Sequence, residues 1–299
     1  MSSTPPSNTA YRVAELPQNS IKKFEIRPEP ARNDKIAAEL GGVIVNADAL
    51  QVYGGWRILT ARPSLEEESR AQHLLYGHIG NQNLYSVGDW IRDIAPILKS
   101  TQRPIIVGGT GLYFRALTEG LADIPPVPSH IKEQAKQFLR DGEVRFMVAA
   151  LDGYTQSKID VQNPMRVSRA WEVLQATGKS IVSWHEQTPP ALMPLKSCDA
   201  LHLNSPVDWL NTRLESRFNM MMSAGVLDEA KANLDNWDPS LQSSQAIGAP
   251  ELINHLLGYS SLAEAKKLAV IASRQYAKRQ RTWFRKRMSD WRSIESHNL

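Results

Sequence analysis

Pro104-Ile105-Ile106-Val107-Gly108-Gly109-Thr110-Gly111-Leu112-Tyr113-Phe114 changes character twice in a short space. Its opening apolar run has no polar alternation, which suits a β-strand buried on both faces of a parallel sheet. The glycines break that strand, and Leu112 to Leu117 resumes with helical spacing. Upstream, Val43-Ile44-Val45 is a second run of the same kind. It ends at Asn46-Ala47-Asp48 and follows a short helix over Lys35 to Leu40 that Gly41-Gly42 terminates. Between the two strands, Val87 to Leu98 has the period of a helix. Strand, helix and strand in alternation imply a parallel sheet with crossover helices, so the first half reads as an α/β layer fold.

The regime changes at Ile124-Pro125-Pro126-Val127-Pro128. Four helical patterns follow to about Trp184 with no strand between them, which reads as a helical insertion. Ala200-Leu201-His202-Leu203-Asn204 restores a strand pattern, and Val207 to Met222 is an amphipathic helix with Arg213 and Arg217 one turn apart. The α/β layer is expected to resume there. Met1 to Ser20 reads as a loose polar tail, and the chain holds no internal repeat.

Charge is concentrated at the other end. Lys266 to Arg292 holds ten Lys or Arg against one acid, Asp290, while the whole chain carries +4, so the remaining residues sum to −5. Arg274, Lys278, Arg281 and Arg285 recur at spacings of four, three and four, along one face of a helix. Tyr276, Trp283 and Phe284 are interleaved with them. Cations displace counterions from a phosphate backbone while flat rings stack on unpaired bases, so the segment reads as a nucleic-acid surface. A merely solvated helix is the plainer alternative.

At 299 residues with 42% apolar content the chain can bury a sizeable core. No apolar run approaches the roughly 18 to 20 residues of a bilayer span, and the N-terminus lacks a signal-peptide core. A soluble, cytoplasmic protein is expected. The single Cys198 excludes an internal disulfide, and no Cys/His pair has zinc-ligand spacing.

In a parallel sheet, chemistry collects beyond the carboxyl ends of the strands, where Asp48 and the Gly108 to Gly111 turn both fall. Asp48 could serve as a general base or as a simple helix cap. The glycine turn could cradle a phosphate with its amides, and Thr110 supplies a hydroxyl that equally suits a cap. Arg217 could hold a diphosphate bidentately or form a surface salt bridge.

Four ordered motifs give these residues a common meaning. They are Asn46-Ala47-Asp48-Ala49-Leu50-Gln51-Val52-Tyr53, then Leu59-Thr60-Ala61-Arg62-Pro63, then Val107-Gly108-Gly109-Thr110-Gly111-Leu112-Tyr113-Phe114, and lastly Arg274-Gln275-Tyr276-Ala277-Lys278-Arg279-Gln280 with Thr282-Trp283-Phe284-Arg285. From about Lys35 to Trp291 the chain resembles the tRNA dimethylallyltransferases. The resemblance implies a parallel-sheet core like that of the P-loop NTPases over residues 21–117 and 191–299, after a loose tail over 1–20. It also implies a helical insertion domain over 118–190, set on the anticodon stem-loop, and a basic C-terminal helix. The implied reaction moves a dimethylallyl group from dimethylallyl diphosphate to N6 of the adenosine 3′ of the anticodon, assisted by Mg²⁺. By the same likeness, Asp48 accepts the N6 proton, Thr110 lies near the reacting centre and Arg217 stabilises the leaving diphosphate. Asp48, Ala49, Leu50 and Gln51 are expected to touch the flipped adenosine. Three further stretches are expected to hold the tRNA: Met165-Arg166-Val167-Ser168-Arg169, then Gln245-Ala246-Ile247-Gly248 of the run to Pro250, and Lys278-Arg279-Gln280-Arg281-Thr282-Trp283-Phe284-Arg285. A monomer with no membrane contact is expected.

Elementary chemistry agrees. The exocyclic amine of adenine is a poor nucleophile, because its lone pair is delocalised into the ring, so a carboxylate that takes the proton helps it attack an allylic carbon. The departing diphosphate calls for Arg, Mg²⁺ and backbone amides around the developing charge. Extracting the base costs a few kcal/mol, which a wide cationic surface can offset.

The chain departs from the family pattern at its phosphate-binding loop. Where Gly-Pro-Thr-Ala-Ser-Gly-Lys-Ser/Thr is expected, Arg27-Pro28-Glu29-Pro30-Ala31-Arg32-Asn33-Asp34 stands, and Lys22-Lys23-Phe24-Glu25-Ile26 is too charged for the preceding central strand. Thr177-Gly178-Lys179-Ser180 is no substitute, because no glycine-rich turn leads into it. The loss fits a reading-frame slip upstream of Lys35 or a tRNA binder that no longer turns over, and it predicts severely reduced transfer with tRNA binding kept. A small-molecule phosphotransferase would need the missing loop and ranks last. Ala249, where Tyr is common, could alter a tRNA contact or equally be neutral drift, and His73, in a stretch read as helical, is assigned no role.

Overall fold

The computed structural model describes residues 41–295. The tail over Met1 to Ser20, the helix over Lys35 to Leu40 and the altered loop at Arg27 to Asp34 lie outside the described residues.

The described chain divides into two compact units, one made of the residues up to Thr118 together with those from Met193 onward, the other of Glu119–Leu192. In the first unit, β1 (Val43–Asn46) is buried along its whole length, as its unbroken apolar run requires. It pairs in parallel with β2 (His73–Leu74) on one side and β3 (Pro104–Val107) on the other, giving the order β2-β1-β3. Ile44 lies opposite Ile105 and Asn46 opposite Val107, so both strands run out at the same edge.

Helix α1 (Leu65–Arg70) and helix α2 (Val87–Leu98) both start at a capping box, Ser64 with Glu67 and Ser86 with Asp89. The buried stripe Trp90, Ile94 and Leu98 of α2 packs with Val43 and Val45 of β1 on one face of the sheet. Helix α3 (Gly111–Glu119) adds Tyr113, Phe114 and Leu117 to this core. The Trp90 indole stacks on Tyr113 at 4.6 Å and donates its N–H to the Asn46 carbonyl at 2.7 Å, which fixes the end of β1. On the opposite face, Ile44 and Ile105 pack with Ala71, Tyr76 and Val107.

The rest of this unit is mainly helical: α9 (Val207–Ser223), α10 (Val226–Ala232), α11 (Ala249–Leu256) and α12 (Leu262–Arg287). The second unit supplies the five helices between them in number, α4 (Ser129–Arg140), α5 (Val144–Ala149), α6 (Gly153–Lys158), α7 (Pro164–Thr177) and α8 (Ile181–Glu186). That is one more helix than the four patterns expected: Gly142, at φ 72°, stands between α4 and α5, and Asp152 caps the start of α6. Helix α7 opens with Asn163 as cap and Pro164 in its first turn, and closes on Gly178 at φ 67°. Its Val167, Ala170, Trp171 and Val173 fill the cores of that unit.

Three local expectations are corrected. His73 is not helical: it sits in β2, with Nδ1 at 2.8 Å from the Ala71 carbonyl and its ring edge-on to Tyr76. The strand β4 (Leu201–Asn204) forms in place, but among the described residues it pairs only with β5 (Arg292–Glu295), in a separate parallel ribbon. Charged Arg292 and Glu295 hide β5 from any hydropathy reading. Ala249 is fully buried, in a core built with Trp56, Leu59, Phe218, Leu252, Ile253 and Ala269, so its side chain serves packing rather than an RNA contact.

Candidate active site

The common edge of β1 and β3 carries two short loops that lock together. The Ala47 amide donates to the Val107 carbonyl at 2.7 Å and the Thr110 amide to the Ala47 carbonyl at 3.1 Å. Gly108 makes the approach possible: a Cβ there would stand 2.2 Å from the Ala47 carbonyl atoms. The Thr110 hydroxyl does not cap α3; it accepts the Ala49 amide at 2.9 Å and so ties the glycine turn to the Asp48 loop.

Asp48 is held by its neighbours. The fully buried Asn46 accepts the Asp48 amide at 2.9 Å, and its side-chain amide donates to the Asp48 carbonyl at 2.9 Å and the Leu75 carbonyl at 3.0 Å. One carboxylate oxygen, Oδ1, accepts the Leu50 and Gln51 amides at 2.9 and 3.4 Å. Among the described residues Oδ2 has no hydrogen-bond partner, and it points toward Gly109. Burial pushes the carboxyl above its usual range, against the pull of the two amides and of Arg217.

Arg217, on α9, is the cation nearest in effect to Asp48. It presents a large exposed surface, yet desolvation is the leading influence on its guanidinium, lowering its pKa against the pull of Asp48. Tyr76, Tyr113 and Tyr276 also feel Asp48. Burial above all, and Asp48 in part, keeps their phenols protonated, with Tyr276 pushed up to about 12.

Gln51 contributes less freely than expected. Its side-chain amide donates to the Thr60 and Ala61 carbonyls at 2.8 and 3.3 Å, and its side-chain oxygen has no partner among the described residues. That loop is itself pinned by Glu229 of α10, whose carboxylate accepts the Arg57, Ile58 and Leu59 amides at 2.6, 2.8 and 2.9 Å and so supports the left-handed Ala61 at φ 51°. Arg62 turns inward, donating to the Tyr53 and Gly54 carbonyls. Glu229 lies far along the sequence from the loop it holds, and no local pattern reveals it.

Helix α12 brings the fourth motif to the same place. Lys278, Arg279, Thr282 and Arg285 are exposed, with Arg281 half-buried, which leaves a cationic face. Arg274 is paired with Glu215 at 3.0 Å. The expectation that the interleaved aromatics stack on bases is corrected for Phe284, which is 7% exposed. Its ring stacks on His202 at 5.0 Å and meets Phe114 and Trp291 edge-on, because α12 must bury one stripe to pack on the sheet. Trp283 lies against Gly111, whose Cβ would fall 2.1 Å from its ring.

The other stretches assigned to tRNA divide in the same way. In the second unit, Met165, Arg166 and Arg169 of α7 are exposed, whereas Val167 and Ser168 face inward. In the first, Gln245 is exposed and Ile247 half-exposed, while Ala246 and Gly248 are buried. The buried side chains cannot touch RNA; they support those that can.

Among the described residues no group of three or more His, Cys, Asp or Glu could cage a metal ion, and no helix is long and apolar enough to cross a membrane. A broad open concavity of 1130 Å³ lies elsewhere, lined by Asp208, Glu215 and Asn219 of α9 with Arg274, and includes none of the Asp48 cluster.

A family model described as IPP transferase matches residues 51–287. The chain is 54% identical over 260 residues to the tRNA dimethylallyltransferase of Ruegeria sp. (strain TM1040), covering 87% of this chain and 89% of that one. It is 50% identical over 295 residues to the tRNA dimethylallyltransferase of Cereibacter sphaeroides (strain ATCC 17029 / ATH 2.4.9), covering 97% and 94%. Among solved structures, the full-length tRNA isopentenylpyrophosphate transferase of Bacillus halodurans superposes with a TM-score of 0.60 at 29% identity, over 88% of this chain and 84% of that one.

Proposed function

Because the chain belongs to the IPP transferase family, we propose that it transfers a dimethylallyl group from dimethylallyl diphosphate to N6 of the adenosine 3′ of the anticodon in tRNA. One observation carries the roles within this reading. Asp48 has one oxygen fixed by two backbone amides and the other without a partner among the described residues, within the electrostatic influence of Arg217, at the edge where the strands end.

A carboxylate so held is a ready acceptor for a proton. As N6 attacks, the bond from nitrogen to the allylic carbon forms, the bond from that carbon to the diphosphate oxygen breaks, and one N6 proton passes to Asp48 Oδ2. Burial raises the pKa of Asp48, which makes its ionised form a stronger base than an exposed carboxylate. Arg217 offers a guanidinium fork for the departing diphosphate. Thr110 acts through its hydroxyl, which accepts the Ala49 amide and keeps the Asp48 loop and the glycine turn in register. The side-chain oxygen of Gln51 suits an amine hydrogen, and the exposed cations of α12 suit the phosphate backbone.

We assign Mg²⁺ to the diphosphate itself, where it would neutralise oxygens held in part by water, as this ion commonly does with phosphate substrates. The described residues do not form a cage for it, and no step here runs through it. The cytoplasm is taken as the place of action and a monomer as the working form. A binder without turnover rests on the altered Arg27 to Asp34 stretch alone, which lies outside the described residues, whereas the similarity to a tRNA dimethylallyltransferase extends over 97% of the chain.

The test is incubation with unmodified tRNA, labelled dimethylallyl diphosphate and Mg²⁺. Label is expected on the adenosine 3′ of the anticodon. Label on another nucleotide, or none, overturns the reading.

A further inference from the structure

Gln280 lies in the α12 run that the family resemblance gives to tRNA, but its polar end is turned into the protein. Its side-chain amide donates to the Gly109 carbonyl at 2.8 Å, and the residue is half-buried among exposed cations. The place where a Gly109 Cβ would stand is 2.3 Å from that amide nitrogen and 3.4 Å from Asp48 Oδ2. The glycine turn, the α12 amide and the carboxylate oxygen therefore converge at one point, and a Cβ at 109 would push the Gln280 amide out of its place. Three residues on, Trp283 closes over Gly111. The turn is thus tied to the Asp48 loop on one side, through Thr110, and to α12 on the other.

We infer that Gln280 is a positioning residue, whose amide clamps the Gly109 carbonyl and sets the wall against which Asp48 and the substrate meet, rather than a contact to RNA. This rests on the proposed transfer reaction for its kinetic consequences, but not for the clamp itself. The charged and titratable groups facing Asp48 are Arg217 from α9, Tyr76 from the loop after β2, Tyr113 from α3 and Tyr276 from α12. A charge placed at position 280 joins that set from α12.

Three substitutions in the full chain test the inference. Gln280→Met keeps length and removes the donor; kcat is expected to fall about tenfold, as small misplacements do, with the Kd for tRNA nearly unchanged. Gln280→Glu places an anion beside Asp48, so the acid limb of the kcat–pH profile is expected to move to higher pH. Gln280→Lys keeps a donor and adds a cation, moving that limb to lower pH. If Gln280 touches RNA instead, Lys tightens and Glu weakens tRNA binding while the acid limb stays in place, and the inference is overturned. Hydrogen exchange gives a readout independent of turnover: the Thr110 to Tyr113 amides should exchange faster in Gln280→Met than in the native chain. Unchanged exchange, with the native melting temperature kept, overturns the clamp even if the chain proves inactive.

Discussion

Gly108→Ala probes the lock between the two active-site loops. The new Cβ would stand 2.2 Å from both the carbonyl carbon and the oxygen of Ala47, and 2.8 Å from its Cα. All are backbone atoms, so no side chain can swing aside. Relief requires the turn to withdraw from β1. Withdrawal breaks the bond from the Thr110 amide to the Ala47 carbonyl and loosens that from the Ala49 amide to the Thr110 hydroxyl. At about 1 kcal/mol for each hydrogen bond, and more for any group left buried and unpaired, the loss comes to roughly 2–4 kcal/mol. Gly54→Ala in the same unit is the control, since its nearest neighbour would lie at an ordinary 3.5 Å; it should change stability by less than about 1 kcal/mol. Urea denaturation of both variants beside the native chain measures the difference through the midpoint at constant slope. A Gly108→Ala midpoint equal to that of Gly54→Ala would refute the claim that the loops are in unyielding contact.

Asn46→Ala strips the buried clamp from the Asp48 backbone, and both stability, by about 1–3 kcal/mol, and transfer rate should fall; a full rate in a properly folded variant counts against the clamp. Phe284→Ala should cost about 3–5 kcal/mol of stability, because the ring is packed against His202, Phe114 and Trp291; weaker tRNA binding at unchanged stability would restore the base-stacking role. Binding of tRNA should weaken with salt, and Lys278→Ala should reduce the log–log slope by roughly 0.7–0.9. Arg274→Ala should reduce it less, its guanidinium being already paired with Glu215; equal slopes for the two variants would contradict this difference.

Much of the sheet was legible because β1 and β3 are unbroken apolar runs that end in Asn46-Ala47-Asp48 and Gly108-Gly109. The two-residue β2 is too short to show a period, and β5 alternates nothing hydrophobic. Asp48, Thr110 and Arg217 could be nominated by residue type and by resemblance, but sequence could not say that Thr110 binds the Ala49 amide instead of capping its own helix. Nor could it say which side chains of α12 turn inward. Ala277, Phe284 and Met288 are spaced as a buried stripe, and the surrounding charges conceal it. Long-range supports such as Glu229 and Gln280 exist only once the chain is folded.

The role of Asp48 bears the most weight, and Asp48→Asn under single-turnover conditions, with saturating tRNA and labelled dimethylallyl diphosphate, tests it. Because the folded-state pKa of Asp48 is raised, its ionised form weighs against the fold at neutral pH, so the variant should melt no lower than the native chain. Its transfer rate should drop by roughly 10²–10⁴ with tRNA affinity kept. A variant that folds, binds tRNA and prenylates at the native rate would contradict the assignment of Asp48 as the base.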